Sequence, residues 1–261
     1  MILVFDIGNT ETTVGVFEAD DLRAHWRLTT AVDRTPDELG LLLHELLRAG
    51  SLERAQITGA AIGSVVPSMT APLVEACERW LGVKARVIDA RVGLPIELKV
   101  DEPFTVGADR ILNTLAASHL YAVDTIVVDL GTATTYDCIT AEGVFFGGII
   151  APGLRTSADT LIRRTSKLPA TELVPPLHAI GTRTEECIRA GVLFGAADAI
   201  DGLVRRIKAE WPTKRVPRVV ATGGLAPLVT PICKEIDIVE PYLTLYGLQI
   251  AFAFLEHAAP A

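Results

Sequence analysis

Two stretches of this sequence place an acid, a glycine and hydroxyl side chains in a spacing that suits a polyphosphate. Asp6-Ile7-Gly8-Asn9-Thr10-Glu11-Thr12-Thr13 follows the apolar run Ile2 to Phe5, and Asp129-Leu130-Gly131-Thr132-Ala133-Thr134-Thr135 follows Thr125 to Val128. The leading acids lie 123 positions apart. In each copy glycine permits a positive φ and brings backbone N–H groups close to an anion. Asn9, Thr10, Thr12, Thr132, Thr134 and Thr135 offer amide or hydroxyl donors to phosphate oxygens. Asp6 and Asp129 would repel a phosphate directly, so their chemistry is to hold a cation or its waters. A single such turn is also ordinary hairpin chemistry. Two that agree in acid, glycine and hydroxyls point to a nucleotide triphosphate, held without a Walker loop by two related halves.

A third group, Gly107-Ala108-Asp109-Arg110, opens a segment with helical pattern over Asp109 to Tyr121. Two small residues expose backbone at a helix start, where free N–H groups and the helix field favour an anion. Arg110 can hold a carboxylate or phosphate with a planar fork of donors. Asp109 can accept the proton of an alcohol that attacks a γ-phosphate. The plainer alternative makes Asp109 a helix N-cap and Arg110 a surface cation.

The elements that must position these groups read as strand, turn, strand, turn, strand over Ile2–Phe5, Thr13–Phe17 and Ala24–Leu28. Thr35-Pro36-Asp37-Glu38 then caps a helix with leucines at 3- and 4-residue spacing, closed by Gly50. A β-run from Ile57 to Val66 ends at Pro67, and the pattern predicts a helix over Pro72–Leu81 and a strand over Ala85–Ile88. The second half repeats the plan with strands at Thr125–Asp129, Tyr136–Thr140 and Val144–Ile150, and β-runs at Val216–Ala221 and Ile236–Val239. The expectation is an α/β fold: a duplicated ribonuclease-H-like unit with mixed sheets, helices on both faces, and an interdomain cleft with both Asp-x-Gly turns at its mouth. No linker composition marks the boundary, which is set at 118/119, giving halves 1–118 and 119–261.

Composition limits the partners. The chain has 261 residues, nearly half of them hydrophobic, enough for a core in each half. A net charge of −8 argues against nucleic acid or an anionic membrane as the main partner. The four cysteines, Cys77, Cys138, Cys187 and Cys233, are scattered without C-x-x-C spacing and read as reduced thiols. Met1 to Phe5 is short, lacks a basic flank and is interrupted by Asp6, so it reads as a first strand and not a signal peptide. The expected location is the cytoplasm.

The order Asp-Ile-Gly-Asn-Thr, Pro103-x-x-x-Gly107-Ala108-Asp109-Arg110, Asp-Leu-Gly-Thr-Ala-Thr-Thr resembles the type III pantothenate kinases, members of the actin-like ATPase superfamily. Gly147-Gly148-Ile149-Ile150-Ala151-Pro152-Gly153 and Thr222-Gly223-Gly224 extend the likeness over most of the chain. The resemblance implies phosphorylation of pantothenate by ATP, with Asp6, Ile7, Gly8, Asn9, Thr10, Glu11, Thr12, Thr13 and Thr132 at the nucleotide. It implies pantothenate contacts from Gly107, Ala108, Asp109 and Arg110, with Asp109 catalytic. Asp129 matches a ligand of a monovalent cation, potassium or ammonium, and Mg²⁺ accompanies ATP. Thr222-Gly223-Gly224 would lie beside adenosine.

The resemblance also implies a homodimer with composite active sites, in which Thr184 reaches the partner's substrate; read alone, Thr184 before Glu185 and Glu186 is a helix N-cap. The Gly- and Ala-rich stretch Gly191 to Ile200 fits either a dimer seam or a central helix of one chain. Two positions depart from the family pattern: Arg183 stands where many members have asparagine, and Val100 where some carry an aromatic. Both bear on substrate packing. The alternatives are another actin-like small-molecule kinase, which leaves Gly-Ala-Asp-Arg unexplained, and a non-catalytic transcription accessory relative, which requires lost site acids.

Overall fold

The computed structural model describes residues 1–258; residues 259–261, at the end of the expected second half, lie outside the described residues. The chain divides into two compact units, Met1–Ala116 joined by the C-terminal helix from Leu243, and Ala117–Tyr242. Each has the expected ribonuclease-H-like plan. In the first unit β1 (Ile2–Ile7), β2 (Glu11–Glu18) and β3 (Asp21–Thr29) are antiparallel neighbours, and β4 (Gly59–Ser64) and β5 (Ala85–Ile88) add in parallel, giving the order β3-β2-β1-β4-β5. A two-residue strand, β6 (Glu97–Leu98), precedes α3 (Ala108–Tyr121). In the second unit β7 (Thr125–Leu130), β8 (Ala133–Ile139), β9 (Val144–Pro152), β10 (Arg218–Thr222) and β11 (Ile238–Val239) run in the matching order β9-β8-β7-β10-β11.

The duplication extends to side-chain alternation, which has period two along a strand. Leu3, Phe5 and Ile7 of β1 enter one core, and Ile126, Val128 and Leu130 of β7 enter the other. Asp6 and Asp129, the odd members out, therefore point to the opposite faces of their sheets. In the first unit Leu3, Phe5 and Ile7 share their core with Leu39 and Leu43 of α1 (Pro36–Ala49) and Met69 and Leu73 of α2 (Pro67–Ala76). The other face is covered by α7 (Leu243–Ala258): Gly15, opposite Val4 in register, lies against Leu245. In the second unit Leu193, Ala197, Ile200 and Val204 of α5 (Thr184–Ala209) and Val229 of α6 (Ala226–Val229) pack on β7 and β10.

Local sequence explains most of this. Thr35 accepts from the Glu38 N–H at 3.3 Å while the Glu38 carboxylate accepts from the Thr35 N–H at 2.7 Å, a reciprocal cap with Pro36 in the first turn. The helix expected over Pro72–Leu81 instead begins at Pro67. Pro67 takes the start position, where its missing N–H has no intrahelical partner to lose, and Pro72 is tolerated inside. A π-turn over Cys77–Leu81 continues it to Gly82, at φ +73°. The expected contiguous halves, 1–118 and 119–261, differ from the compact units because α7 returns to cover the β1–β4 face of the first.

Asp124 anchors the start of β7. Though only 3 % exposed, it accepts from Trp211 Nε1 at 3.0 Å, Thr213 Oγ1 at 3.2 Å and the Ala141 N–H at 3.0 Å, and pairs with Arg215 at 3.5 Å. Burial opposes the charged form, but these donors and the guanidinium together hold the carboxyl below its usual range. A depressed folded-state value gives stability that is complete above the unfolded pKa of about 3.9 and is lost as pH falls through the folded value. Urea midpoints measured from pH 5 to 2 should fall below about pH 4. Asp124→Asn should lower stability by about 1–3 kcal/mol at neutral pH and flatten that acid limb; an unchanged limb would assign it to other carboxylates.

Candidate active site

The first turn joins β1 to β2, whose register sets Asp6 opposite Thr13 and Ile7 opposite Thr12. The Gly8 N–H donates to the Glu11 carbonyl at 3.0 Å and closes the loop. Gly8 does not use a positive φ; glycine is favoured by close approach, since an added Cβ would stand 3.0 Å from the Glu11 oxygen. Asn9, Thr10 and Glu11 are exposed at the tip. Thr12 is only 5 % exposed and its hydroxyl lies 3.0 Å from that of Thr30, so it faces inward and not toward a ligand.

The second turn repeats this register, with Asp129 opposite Thr135 and Leu130 opposite Thr134, but is one residue shorter. Its Gly131 N–H donates to the Ala133 carbonyl at 3.0 Å, and Gly131 too lacks a positive φ. Thr132 is exposed, whereas Thr134 is 6 % exposed. Two glycines from elsewhere back this turn. Gly223, at φ +89°, follows β10; a Cβ there would be 2.5 Å from Asp129 Oδ1 and 2.8 Å from the Leu130 nitrogen. Gly153 precedes α4 (Leu154–Arg163), and a Cβ on it would overlap the Thr132 carbonyl oxygen and sit 2.5 Å from that of Gly131. The space beside the Asp129 carboxylate exists because Gly223 has no side chain.

Asp109 is not the N-cap of α3, which starts one residue earlier, at Ala108. It sits in the first turn and accepts from the Arg110 N–H at 2.9 Å. Its Oδ1 lies so close to Gly107 that a Cβ there would overlap it. Within the first unit the fold brings this motif to the first turn: the Val65 N–H donates to the Ile7 carbonyl at 3.0 Å, and Val65 Cγ1 is 3.5 Å from where a Gly107 Cβ would stand. Leu112, one turn along α3, fills space left by Gly63, the β4 partner of Asp6, and by Gly247 of α7.

Thr184 is the first residue of α5, and Arg183 is its N-cap. The capping is done by Glu186, whose carboxylate accepts from the Thr182 and Arg183 N–H groups at 2.9 and 3.3 Å; these bonds hold it below the usual carboxylate range. The N-cap reading of Thr184 is thus corrected. Along α5, Gly191 and Gly195 face open space, and they border a groove of about 550 Å³ within the second unit, lined largely by apolar side chains such as Leu154, Leu161 and Val192.

Sequence reasoning missed Thr30 and Thr156, which bond to the turns from behind; isolated threonines carry no motif. It also missed the role of Gly223 against Asp129, although Thr222-Gly223-Gly224 was noticed. Among the described residues no group of three or more His, Cys, Asp or Glu side chains is placed to hold a metal, and no helix is long and apolar enough to cross a membrane.

Comparison with known proteins adds the following. A sequence model of the type III pantothenate kinase family matches residues 2–206. The type III pantothenate kinase of Geobacillus kaustophilus (strain HTA426) is 41% identical over 252 residues, covering 97% of each chain. Among solved structures, a Sinorhizobium meliloti protein assigned as a 2-dehydro-3-deoxygalactonokinase superposes with a TM-score of 0.59 at 14% identity, covering 100% of this chain and 98% of that one. A Campylobacter jejuni protein assigned to the Baf family of transcriptional activators gives 0.58 at 17% identity, over 98% and 99%. At such identities these two speak for the fold alone.

Proposed function

Because the chain belongs to the type III pantothenate kinase family, we infer that it transfers the γ-phosphoryl group of ATP to the primary alcohol of pantothenate, giving 4′-phosphopantothenate on the way to coenzyme A. The observation that carries the reading is one acidic hairpin turn built twice, each acid opposite a threonine, in a chain whose α3 opens on Gly107-Ala108-Asp109-Arg110.

The residues divide the work by chemistry. Asp6 to Thr13 and Thr132 take the phosphates, through N–H and side-chain donors of the exposed residues Asn9, Thr10 and Thr132. Ile7 and Thr12 act through the backbone and through Thr30, because their own side chains are buried. Gly107, Ala108 and Arg110 hold pantothenate, and Asp109 accepts the proton of its alcohol. Mg²⁺ accompanies ATP and offsets phosphate charge; a carboxylate at Asp6, half-buried at the mouth of the turn, suits the ion or its waters.

At Asp129 the reading is a monovalent cation, potassium or ammonium. The fit rests on the carboxylate that Gly223 accommodates, which would hold the ion and let it offset the charge of the polyphosphate. The chain works as a cytoplasmic homodimer in which Thr184 reaches the partner's substrate. Support comes from the open Gly191 and Gly195 positions, the apolar groove beside them, and Leu177 and Ile180, which are 92% and 86% exposed just ahead of Thr184.

The decisive assay couples ADP release to a readout with pantothenate and a panel of sugars, with and without potassium. Turnover is expected with pantothenate alone among these acceptors, and is expected to fall when potassium is withdrawn. Sugar phosphorylation without pantothenate turnover would end the reading, while potassium-independent turnover would remove the cation from it.

A further inference from the structure

Both site turns are tied from behind by a threonine that belongs to neither motif. Thr30, directly after β3, donates its hydroxyl to the Gly8 carbonyl at 2.7 Å, and its N–H donates to the Thr10 carbonyl at 3.0 Å. Thr156, in the first turn of α4, donates its hydroxyl to the Thr132 carbonyl, also at 2.7 Å. Because the Thr30 proton is directed at Gly8, Thr12 is the donor in the 3.0 Å contact between the two hydroxyls. The same device is thus built in both units from unrelated elements, a strand end in one and a helix start in the other.

Its consequence follows from peptide geometry. In a trans peptide the C=O and the following N–H point in opposite directions. Drawing the Gly8 carbonyl toward Thr30 turns the Asn9 N–H the other way, and drawing the Thr132 carbonyl toward Thr156 does the same for the Ala133 N–H. A carbonyl left to swing outward would instead set its partial negative charge against a phosphate. Gly153 makes the second tether possible, since any side chain there would collide with the Thr132 oxygen.

We propose that Thr30 and Thr156 are positioning residues for ATP, which hold the turn carbonyls off the phosphates and present the opposed N–H groups to them. The inference rests on the reading of both turns as phosphate sites. The test compares Thr30→Val, Thr156→Val and the two Thr→Ser variants by calorimetric titration with Mg·ATP in the absence of pantothenate, and by steady-state kinetics. Each valine is expected to weaken Mg·ATP binding and raise KM for ATP by about tenfold, the scale of one hydrogen bond near a charged ligand. KM for pantothenate should stay within about twofold, and serine should restore ATP affinity, because it keeps the donor.

Wild-type-like Mg·ATP binding in both valine variants would overturn the proposal. So would an equal loss for both substrates accompanied by a lower Tm, since that marks general loosening. Thr30 is half-buried; if its valine variant does not fold, the exposed Thr156→Val decides alone. A wild-type protein that binds Mg·ATP yet does not phosphorylate pantothenate would defeat the functional reading, not this inference, which the titration judges separately.

Discussion

Asp109→Asn is expected to lower kcat for pantothenate phosphorylation by about 10²–10⁴-fold, the usual worth of a positioned general base. The amide keeps the shape of the side chain but cannot take the proton of the attacking alcohol. Stability should barely change, because Asp109 is not the cap of α3 and its Oδ1 contact with the Arg110 N–H at 2.9 Å survives with an amide oxygen. KM for ATP should also hold, since the phosphate turns are untouched. The comparison to make is kcat at saturating pantothenate beside the thermal midpoint of the same preparation; near-normal kcat would take Asp109 out of the mechanism. Gly107→Ala gives an independent check, because its new methyl would displace the Asp109 carboxylate and reproduce part of the loss without altering the acid.

Asp129→Ala has a sign that discriminates between two pictures. With no cation between Asp129 and the phosphates, removing the carboxylate relieves repulsion and ATP binds more tightly. For unit charges about 5 Å apart at an effective dielectric near 20 that relief is of order 3 kcal/mol. With a cation there, the substitution removes a ligand, and metal affinity falls at least as far as the roughly 10–100-fold typical of altered outer-shell partners. The expectation is the second outcome: weaker ATP saturation together with lost activation by potassium. Titrating potassium at several ATP concentrations reads both effects. Tighter ATP binding in Asp129→Ala, or activation by potassium that persists, would rule out the cation at this carboxylate.

Much of the fold was legible because its signals are local. Thr35-Pro36-Asp37-Glu38 announced a cap that the structure forms at Thr35, with Pro36 first in the helix, and the three-strand openings of both halves emerged from alternation and turn residues. Where two local signals competed, reading failed: Pro67 and Pro72 each suit a helix start, and only packing of Met69 and Leu73 into the core decided for the earlier one. The two acidic turns form where the spacing put them, with one detail different. Neither Gly8 nor Gly131 uses a positive φ: at position 8 glycine gives room beside the Glu11 carbonyl, whereas a Cβ at position 131 would meet only ordinary contacts at 3.7 and 3.8 Å. Among the hydroxyls assigned to phosphate, Thr12 and Thr134 turn inward, because residues alternate across a strand and register decides which face is wet.

The sequence by itself determined the chemistry on offer: two acids 123 positions apart, each followed by glycine and hydroxyls, and an acid and an arginine where a helix begins. Such features depend on residue type and short spacing, which a linear chain displays directly. Tertiary structure alone decided which of these groups are held and by what. Gly223 makes room for Asp129 from 94 residues away, Val65 links Ile7 to Gly107, and Thr30 and Thr156 fasten the turns. Those contacts join segments distant in sequence, where nothing in the local pattern of either partner names the other. They come into being only when the sheets close and the chain meets itself.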